Sequence, residues 1–327
     1  MHKELETIKW GIIGCGDVAE IKSGPAFQTV ENSELLGVMR RDRAKAKDFA
    51  QRHKVPLWTN NANDLLENSE INAIYVATPP SSHKDYAIAA LMAGKHVYLE
   101  KPMTLNVSEG VVLSNALKNS TKKITVAHYR RKLPAFEKVK SLLAENSIGK
   151  VILADIQLFQ PKKSNIVAQT DENWRLNPEI SGGGYFYDLA PHQIDLMYHY
   201  FGRFEAVSGY ATAKRNKVEE TVNGIIRFKN GIQFRGLWNF TAPETYTKEE
   251  CTIYGSEGTI RFSFYGDKVK LCTANQDKTF TFKNPKHIQE PMIAATVNYF
   301  LGDATNPCSV EEGLDVMKAM EKLSGRQ

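Results

Sequence analysis

The sequence predicts an α/β protein of two domains: an N-terminal doubly wound parallel sheet, then a C-terminal α+β domain with a large, open, mostly antiparallel sheet. The 327 residues are enough for two separate cores. In the first part, short β-prone runs alternate with helical stretches, which is typical of parallel βαβ units. Farther on, β-prone runs follow one another, and Asn230-Gly231 predicts a hairpin. We place the domains at 1–124 and 125–327, with the closing helix 311–323 free to pack back on the first.

Composition excludes several classes of protein. The chain is 42% hydrophobic and 24% charged, and its net charge of +5 is scattered. Because no block of basic residues occurs, we expect no nucleic-acid partner. No apolar run approaches the roughly 18 residues of a membrane span, so we expect no membrane partner. The polar start, 1–8, shows no signal peptide, and four cysteines without metal or redox spacing indicate free thiols in the cytoplasm.

A glycine-rich turn follows the first predicted strand, Ile8–Ile13. It reads G-x-G-x-x-A, and its glycines permit a tight turn and a close approach of the backbone to a pyrophosphate at a helix N-terminus. A second strand, 35–39, follows at the spacing of a Rossmann dinucleotide-binding domain. We therefore favour cofactor binding over a plain glycine-rich turn. The residues assigned to it here are Gly14, Gly16, Asp17, Val18 and Ala19.

The residues after that second strand bear on the choice of cofactor. Proteins that bind NAD usually place an acid there for the ribose hydroxyls. This chain has Arg40 and Arg41, whose guanidinium groups can bind a ribose 2′-phosphate. We therefore predict that NADP is preferred to NAD. The alternative is a solvated basic helix start capped by Asp42.

Two further strands end in residues suited to a site. The strand 73–77 ends in Thr78-Pro79-Pro80, a rigid lip at the sheet edge. We interpret His83, just beyond, chiefly as a surface histidine at a helix start. The strand 96–99 ends in Glu100-Lys101-Pro102, which leaves Lys101 at the carboxyl end of a parallel strand, where ligands bind. Lys101 is therefore a candidate catalytic residue.

The second half contains a glycine run, 182–184, which we interpret as flexible, followed by a helix whose first turn can accept Pro191. Asp188 and His192 lie four apart and share one helix face. His192 could move a proton near neutral pH. Alternatively, Asp188 caps the helix and His192 lies in the core. A metal set of Asp188, His192, Asp195 and His199 has no second ligand cluster to support it, and we assign no metal.

Together these features resemble the glucose-fructose oxidoreductase / inositol dehydrogenase / MocA (Gfo/Idh/MocA) family. The resemblance implies a Rossmann domain, an open sheet used in a homodimer or homotetramer, and reversible oxidation of a secondary alcohol in a sugar or cyclitol. It implies a cis Lys101-Pro102 bond and a catalytic trio of Lys101, Asp188 and His192. It extends the cofactor contacts to Thr78, Pro79, His83, Glu100 and Lys101.

The mechanism that follows is a hypothesis. His192 exchanges a proton with the substrate hydroxyl, Lys101 lowers the pKa of that hydroxyl, and Asp188 bonds the neighbouring hydroxyl. Substrate contacts are open: the aromatic and basic residues Tyr129, Arg130, Trp174 and Arg175 could line a sugar site or belong to core and interface. Basic residues, Arg130 and Arg131 among them, hint at an acidic or phosphorylated sugar. The alternatives are a nicotinamide-dependent glycosidase and a non-catalytic, cofactor-binding regulator.

Overall fold

The computed structural model describes residues 6–167, 173–213 and 218–326. The chain divides into two compact units. The first comprises the residues up to Arg130 together with Pro285–Leu314, and the second comprises Arg131–Asn284 and the residues from Asp315 onward. The domain boundary expected after residue 124 stays a prediction.

The sheet of the first unit is parallel throughout and has the strand order β3-β2-β1-β4-β5-β6. The order reverses between β1 and β4, which is the position where ligands bind in open α/β sheets. Every residue of β4 and β5 is buried, as expected for strands covered on both faces. The doubly wound parallel sheet is therefore confirmed. Its strands are β1 (Ile8–Ile13), β2 (Ser33–Met39), β3 (Leu57–Thr59), β4 (Ala73–Val76), β5 (His96–Leu99) and β6 (Ile124–Val126).

The connections of this sheet are helical. After β1 the chain forms a π-helical turn, Ala19–Ser23, and a 3₁₀ turn, Gly24–Gln28, in place of a regular α-helix. Pro25 explains the break, because it has no N–H to bond a carbonyl of the preceding turn. Two of the later helices have side-chain caps: Asp42 and Asn106 accept backbone N–H bonds at the starts of these helices. The α-helices are α1 (Arg43–His53), α2 (Asn63–Leu66), α3 (His83–Met92) and α4 (Val107–Lys118).

The second unit is built on a sheet of order β14-β13-β12-β11-β7-β10-β9-β8, antiparallel except where β7 meets β10. The predicted mostly antiparallel sheet is confirmed. So is the hairpin at Asn230-Gly231, in which Gly231 alone takes a positive φ. The strands are β7 (Val151–Phe159), β8 (Phe204–Ala213), β9 (Glu219–Phe228), β10 (Gln233–Asn239), β11 (Lys248–Gly255), β12 (Gly258–Phe262), β13 (Lys268–Thr273) and β14 (Asp277–Thr281).

Among the described residues, three α-helices lie wholly in this unit: α5 (Pro134–Ala144), α6 (Pro178–Ser181) and α7 (Tyr185–Phe201). Helix α7 packs on the inner face of the sheet, where the ring of Phe186 lies 5.2 Å from that of Trp238. The prediction that Pro191 lies in the first turn is wrong, because α7 begins six residues earlier. The outer face of the sheet exposes Tyr210 and Ile225.

Two further α-helices close the chain: α8 (Glu290–Leu301) and α9 (Val310–Leu323). Helix α8 belongs to the first unit, where its Phe300 packs against Trp10 of β1. Helix α9 is shared, since residues through Leu314 belong to the first unit and the rest to the second. Within the ranges described above, no helix is both long and apolar enough to cross a membrane.

Candidate functional site

The glycine-rich turn at the end of β1 is held against the ends of two neighbouring strands. Gly14 has a φ of +99°, and a Cβ there would lie 2.8 Å from the backbone of Ala77 and Thr78. Its N–H and that of Cys15 both donate to the carbonyl of Met39, at the end of β2. Only glycine fits this position.

Space above the turn suits a dinucleotide. A Cβ added to Gly16 would meet no atom within 4 Å, so the backbone there is open to a ligand. Around it, Asp17 is exposed, Val18 is half-buried and Ala19 is buried. Burial raises the pKa of the Cys15 thiol to about 11, which keeps it neutral. The turn therefore fits the pyrophosphate of a dinucleotide.

The end of β2 presents positive charge to the same turn. The Nη1 of Arg40 donates to the carbonyl of Cys15 at 3.3 Å, and Arg41 is exposed. Asp42 instead caps α1, accepting from the N–H of Lys45. The capping role proposed for Asp42 is thus confirmed, and Arg40 contacts the glycine-rich turn.

His83 lies between two backbone segments of the first unit. It is 1% exposed, so its interpretation as a surface histidine is wrong. Its Nε2 lies 2.7 Å from the carbonyl oxygen of Thr78, and its Nδ1 lies 2.9 Å from that of Pro102. Burial lowers the pKa of His83, although the two carbonyl acceptors oppose this shift. The ring therefore joins the Thr78-Pro79 lip to the residues that follow Lys101.

Glu100 anchors the backbone of Lys101. Its Oε1 accepts hydrogen bonds of 2.6 Å from the hydroxyl of Tyr75 and from the Nε2 of Gln289, and its Oε2 accepts from the N–H of Lys101 at 3.1 Å. Glu100 is buried and Lys101 is half-buried. The Lys101-Pro102 peptide bond is cis, as predicted. No local pattern indicated Gln289, which lies 189 residues farther along the chain.

A residue predicted for substrate binding contacts a residue predicted for catalysis on helix α7. The Nε of Arg175, expected at a substrate site, donates to Oδ2 of Asp188 at 3.0 Å, and both side chains are mostly buried. The guanidinium group of Arg175 also lies 4.6 Å from the ring centre of Trp174. His192, one helical turn after Asp188, is 5% exposed. Asp188, which Arg175 binds, therefore lies one helical turn before His192 within the second unit.

Three more residues predicted near the substrate are buried and contact other side chains. Arg131, expected to add positive charge near a substrate, is almost fully buried and donates to both carboxylate oxygens of Asp195. That expectation is wrong, because a charge buried in an ion pair is not available at a surface. Tyr129 and Arg130 are also buried, with the guanidinium group 5.2 Å from the ring centre.

The glycine run before α7 is tightly packed, so its interpretation as flexible is wrong. A Cβ at Gly183 would lie 2.1 Å from the ring of Tyr187, and one at Gly184 would lie 3.0 Å from Val218. Gly182 takes a positive φ of 82° at the end of α6. These glycines permit close contact and a sharp change of direction.

Two family descriptions match the chain. One, "Oxidoreductase family, NAD-binding Rossmann fold", covers residues 8–128, and the other, "GFO/IDH/MocA C-terminal domain", covers residues 136–261. Among solved structures, levoglucosan dehydrogenase with NADH and levoglucosan has a TM-score of 0.86 at 20% identity, covering 98% of this chain and 97% of that one. KijD10, a 3-ketoreductase from Actinomadura kijaniata with NADP and TDP-benzene, has a TM-score of 0.81 at 19% identity, covering 97% of each chain.

Relatives by sequence agree with these matches. Oxidoreductase P35 of Formosa agariphila is 54% identical over 97% of this chain and 98% of its own. The scyllo-inositol 2-dehydrogenase (NADP(+)) IolW of Bacillus subtilis is 30% identical over 67% of this chain and 58% of its own. The two sheets and these matches agree. We conclude that the chain belongs to the GFO/IDH/MocA family and is an NAD(P)-binding oxidoreductase.

Proposed function

We propose that the protein catalyses reversible oxidation of a secondary alcohol to a ketone in a sugar, sugar derivative or cyclitol. The proposal is supported above all by the placement of two side chains on α7: Asp188, which Arg175 binds, lies one helical turn from His192. When bound, the nicotinamide accepts or supplies the hydride at C4. The relatives named for a levoglucosan and a scyllo-inositol activity support the substrate class.

His192 is the proposed proton acceptor in oxidation and proton donor in reduction. An imidazole suits this role, because its ordinary pKa lies near neutral pH. Asp188 is proposed to accept a hydrogen bond from the hydroxyl next to the reacting carbon. The ion pair with Arg175 holds the Asp188 carboxylate in place and leaves about a fifth of that side chain exposed. These two groups would select which hydroxyl reacts.

Lys101 is the proposed electrostatic catalyst. A cationic amine beside the reacting hydroxyl favours the alkoxide and therefore lowers the pKa of that hydroxyl. The Glu100 carboxylate fixes the backbone of Lys101, and His83 fixes the residues just after it. We interpret Glu100 and His83 as supports for the cofactor lip and for Lys101.

NADP is the proposed preferred cofactor. Arg40 and Arg41 follow β2, where the ribose of a bound dinucleotide lies in a Rossmann domain. The carboxylate of Asp42 is turned to the start of α1 and bonds there. Replacing Arg40 by aspartate should weaken NADP binding and improve NAD binding. Titrating both cofactors against the wild type and Arg40→Asp measures this, and an unchanged NADP-to-NAD ratio would count against the assignment.

Reduced-nicotinamide absorbance tests the reaction itself. Purified protein should turn over at least one member of a panel of aldoses, ketoses, inositols and sugar acids, with NADP or NAD and in either direction. Lys101→Met should lower kcat strongly with little change in cofactor Kd, whereas Lys118→Met, at an exposed position on α4, should change neither. A flat panel with cofactor bound would favour the glycosidase or the regulator.

The outer face of the second sheet is the proposed oligomer interface. Tyr210 and Ile225 are 83% and 52% exposed on neighbouring strands, and Tyr254 is 39% exposed on the same face. Large apolar groups exposed on a sheet face mark interaction surfaces. We expect a homodimer or homotetramer by light scattering and a smaller species for Ile225→Asp. A cytoplasmic location is proposed from the free thiols, of which Cys15, Cys251 and Cys308 are buried.

A further inference from the structure

The residues that follow α9 bind the segment that begins α7. We infer that Arg326 is a positioning residue that fixes the start of α7 and thereby the side chains of Asp188 and His192. This inference rests on the proposed function of that helix, and it assigns a role to a segment with no recognisable sequence signal. All the residues concerned belong to the second unit.

Arg326 contacts the glycine run and the residues beside it. Its Nη2 lies 2.6 Å from Oε1 of Glu219, a carboxylate whose side chain is 4% exposed. Its Nη1 donates to the carbonyl of Gly182. Its guanidinium group lies 4.8 Å from the ring centre of Tyr187, within the range of a cation–π contact. The Arg326 side chain thus contacts Gly182 before the helix, Tyr187 in the first turn of the helix and Glu219 on β9.

Glu219 connects Arg326 to Gly184, the N-cap residue of α7. Its second oxygen, Oε2, lies 3.4 Å from the N–H of Gly184, the residue that precedes α7. A carboxylate at a helix N-terminus satisfies free N–H groups and complements the helix dipole. Without Arg326, this buried carboxylate would lose its cationic partner. The cap would then be free to move.

Tyr187 is held on three sides. Its ring lies against Gly183, where a Cβ would approach to 2.1 Å, and the guanidinium group of Arg326 also contacts it. Its hydroxyl lies 3.2 Å from Oγ of Ser324. Burial raises the pKa of Tyr187 to about 12, so the hydroxyl stays protonated.

The position of Tyr187 sets the rotation of the helix. Asp188 is the next residue, and His192 follows one turn later on the same face. A small rotation or shift at the first turn therefore moves both side chains together. Misplacement by about 1 Å can lower a catalytic rate about 100-fold. Arg326 controls this placement without needing to contact the substrate.

The test compares Arg326→Ala, Arg326→Lys and the matched control Lys322→Ala, which changes an exposed residue in the last turn of α9. Backbone hydrogen exchange reports on the helix start, and steady-state kinetics report on catalysis. For Arg326→Ala we expect faster exchange confined to about residues 182–188, a kcat lowered at least about 10-fold and an unchanged KM for the cofactor. Arg326→Lys should restore part of kcat, because it keeps the charge but not the planar group. Lys322→Ala should match the wild type.

The outcomes separate this inference from the proposed function. Unchanged exchange in Arg326→Ala would overturn it, and so would faster exchange with kcat unchanged. If the wild type turns over no substrate in the panel, the proposed function fails, and exchange still decides whether Arg326 holds the helix start. If Arg326→Ala does not fold, Arg326→Lys carries the test through the same two measurements.

Discussion

Replacing Arg131 by methionine tests how much the buried ion pair between Arg131 and Asp195 of α7 contributes to stability. Both side chains are 1% exposed, and the Nη2 of Arg131 lies 2.6 Å from Oδ1 of Asp195. Its Nε donates to Oδ2 of the same carboxylate at 2.9 Å. Methionine fills a similar volume but offers no hydrogen-bond donor. The substitution therefore leaves a carboxylate in the core without its cationic partner.

The expected loss of stability is large. Breaking a buried pair by removing one partner costs about 3–5 kcal/mol, because the remaining charge stays desolvated. For a unit of this size, 1 kcal/mol lowers Tm by about 2–4 °C, so Tm should fall by roughly 6–20 °C. Replacing both partners, Arg131→Met with Asp195→Leu, should recover most of the loss, since an apolar pair leaves no charge uncompensated.

Thermal unfolding followed by circular dichroism measures these changes. Arg227→Met is the matched control: Arg227 forms an ion pair with Glu205 at 2.9 Å, but the two side chains are 55% and 47% exposed. Its loss should cost about 0–1 kcal/mol. Equal Tm shifts for Arg131→Met and Arg227→Met would refute the reasoning, as would a double variant less stable than Arg131→Met.

Three further predictions follow from the first unit. Gly14→Ala should abolish tight cofactor binding, measured by titration, because its Cβ would lie 2.8 Å from the backbone of Thr78; Gly231→Ala has the same kind of φ but open space and should bind cofactor normally. His83→Phe should weaken cofactor binding and lower Tm, since phenylalanine has no N–H to donate to a carbonyl oxygen of Thr78 or Pro102, and a carbonyl left without its donor costs about 1–3 kcal/mol; an unchanged Kd and Tm would contradict this. Burial lowers the pKa of His96 to about 4 in the folded protein, below its unfolded value of about 6.5. The unfolded chain therefore binds the extra proton first, so stability should fall as pH drops from about 6.5 towards 4, and His96→Asn should flatten that part of the stability profile.

Local patterns were enough to predict the first sheet. The strand 96–99 has the predicted bounds, because a buried β-prone run ends at a charged pair and a proline. The shared face of Asp188 and His192 also followed from a short stretch of chain, whereas the cis bond after Lys101 was implied by the family resemblance. Such features depend on residues that are neighbours in sequence.

Contacts between distant parts of the chain were not predictable in this way. Gln289 bonds Glu100 across 189 residues, and Arg131 bonds Asp195 across 64. A single sequence does not show which distant charges become partners, so Arg131 was expected to add positive charge near a substrate. For the same reason nothing indicated that α8 joins the first unit, where it packs against β1.

One measurement tests the proposed activity most directly: the amount of reduced cofactor formed per ketone produced, with purified wild-type protein, NADP and a reactive sugar or cyclitol. One reduced cofactor should form per ketone, and turnover should collapse in His192→Phe while the cofactor still binds. Cofactor that binds but shows no net reduction with any polyol, alongside cleavage of a glycoside, would contradict it.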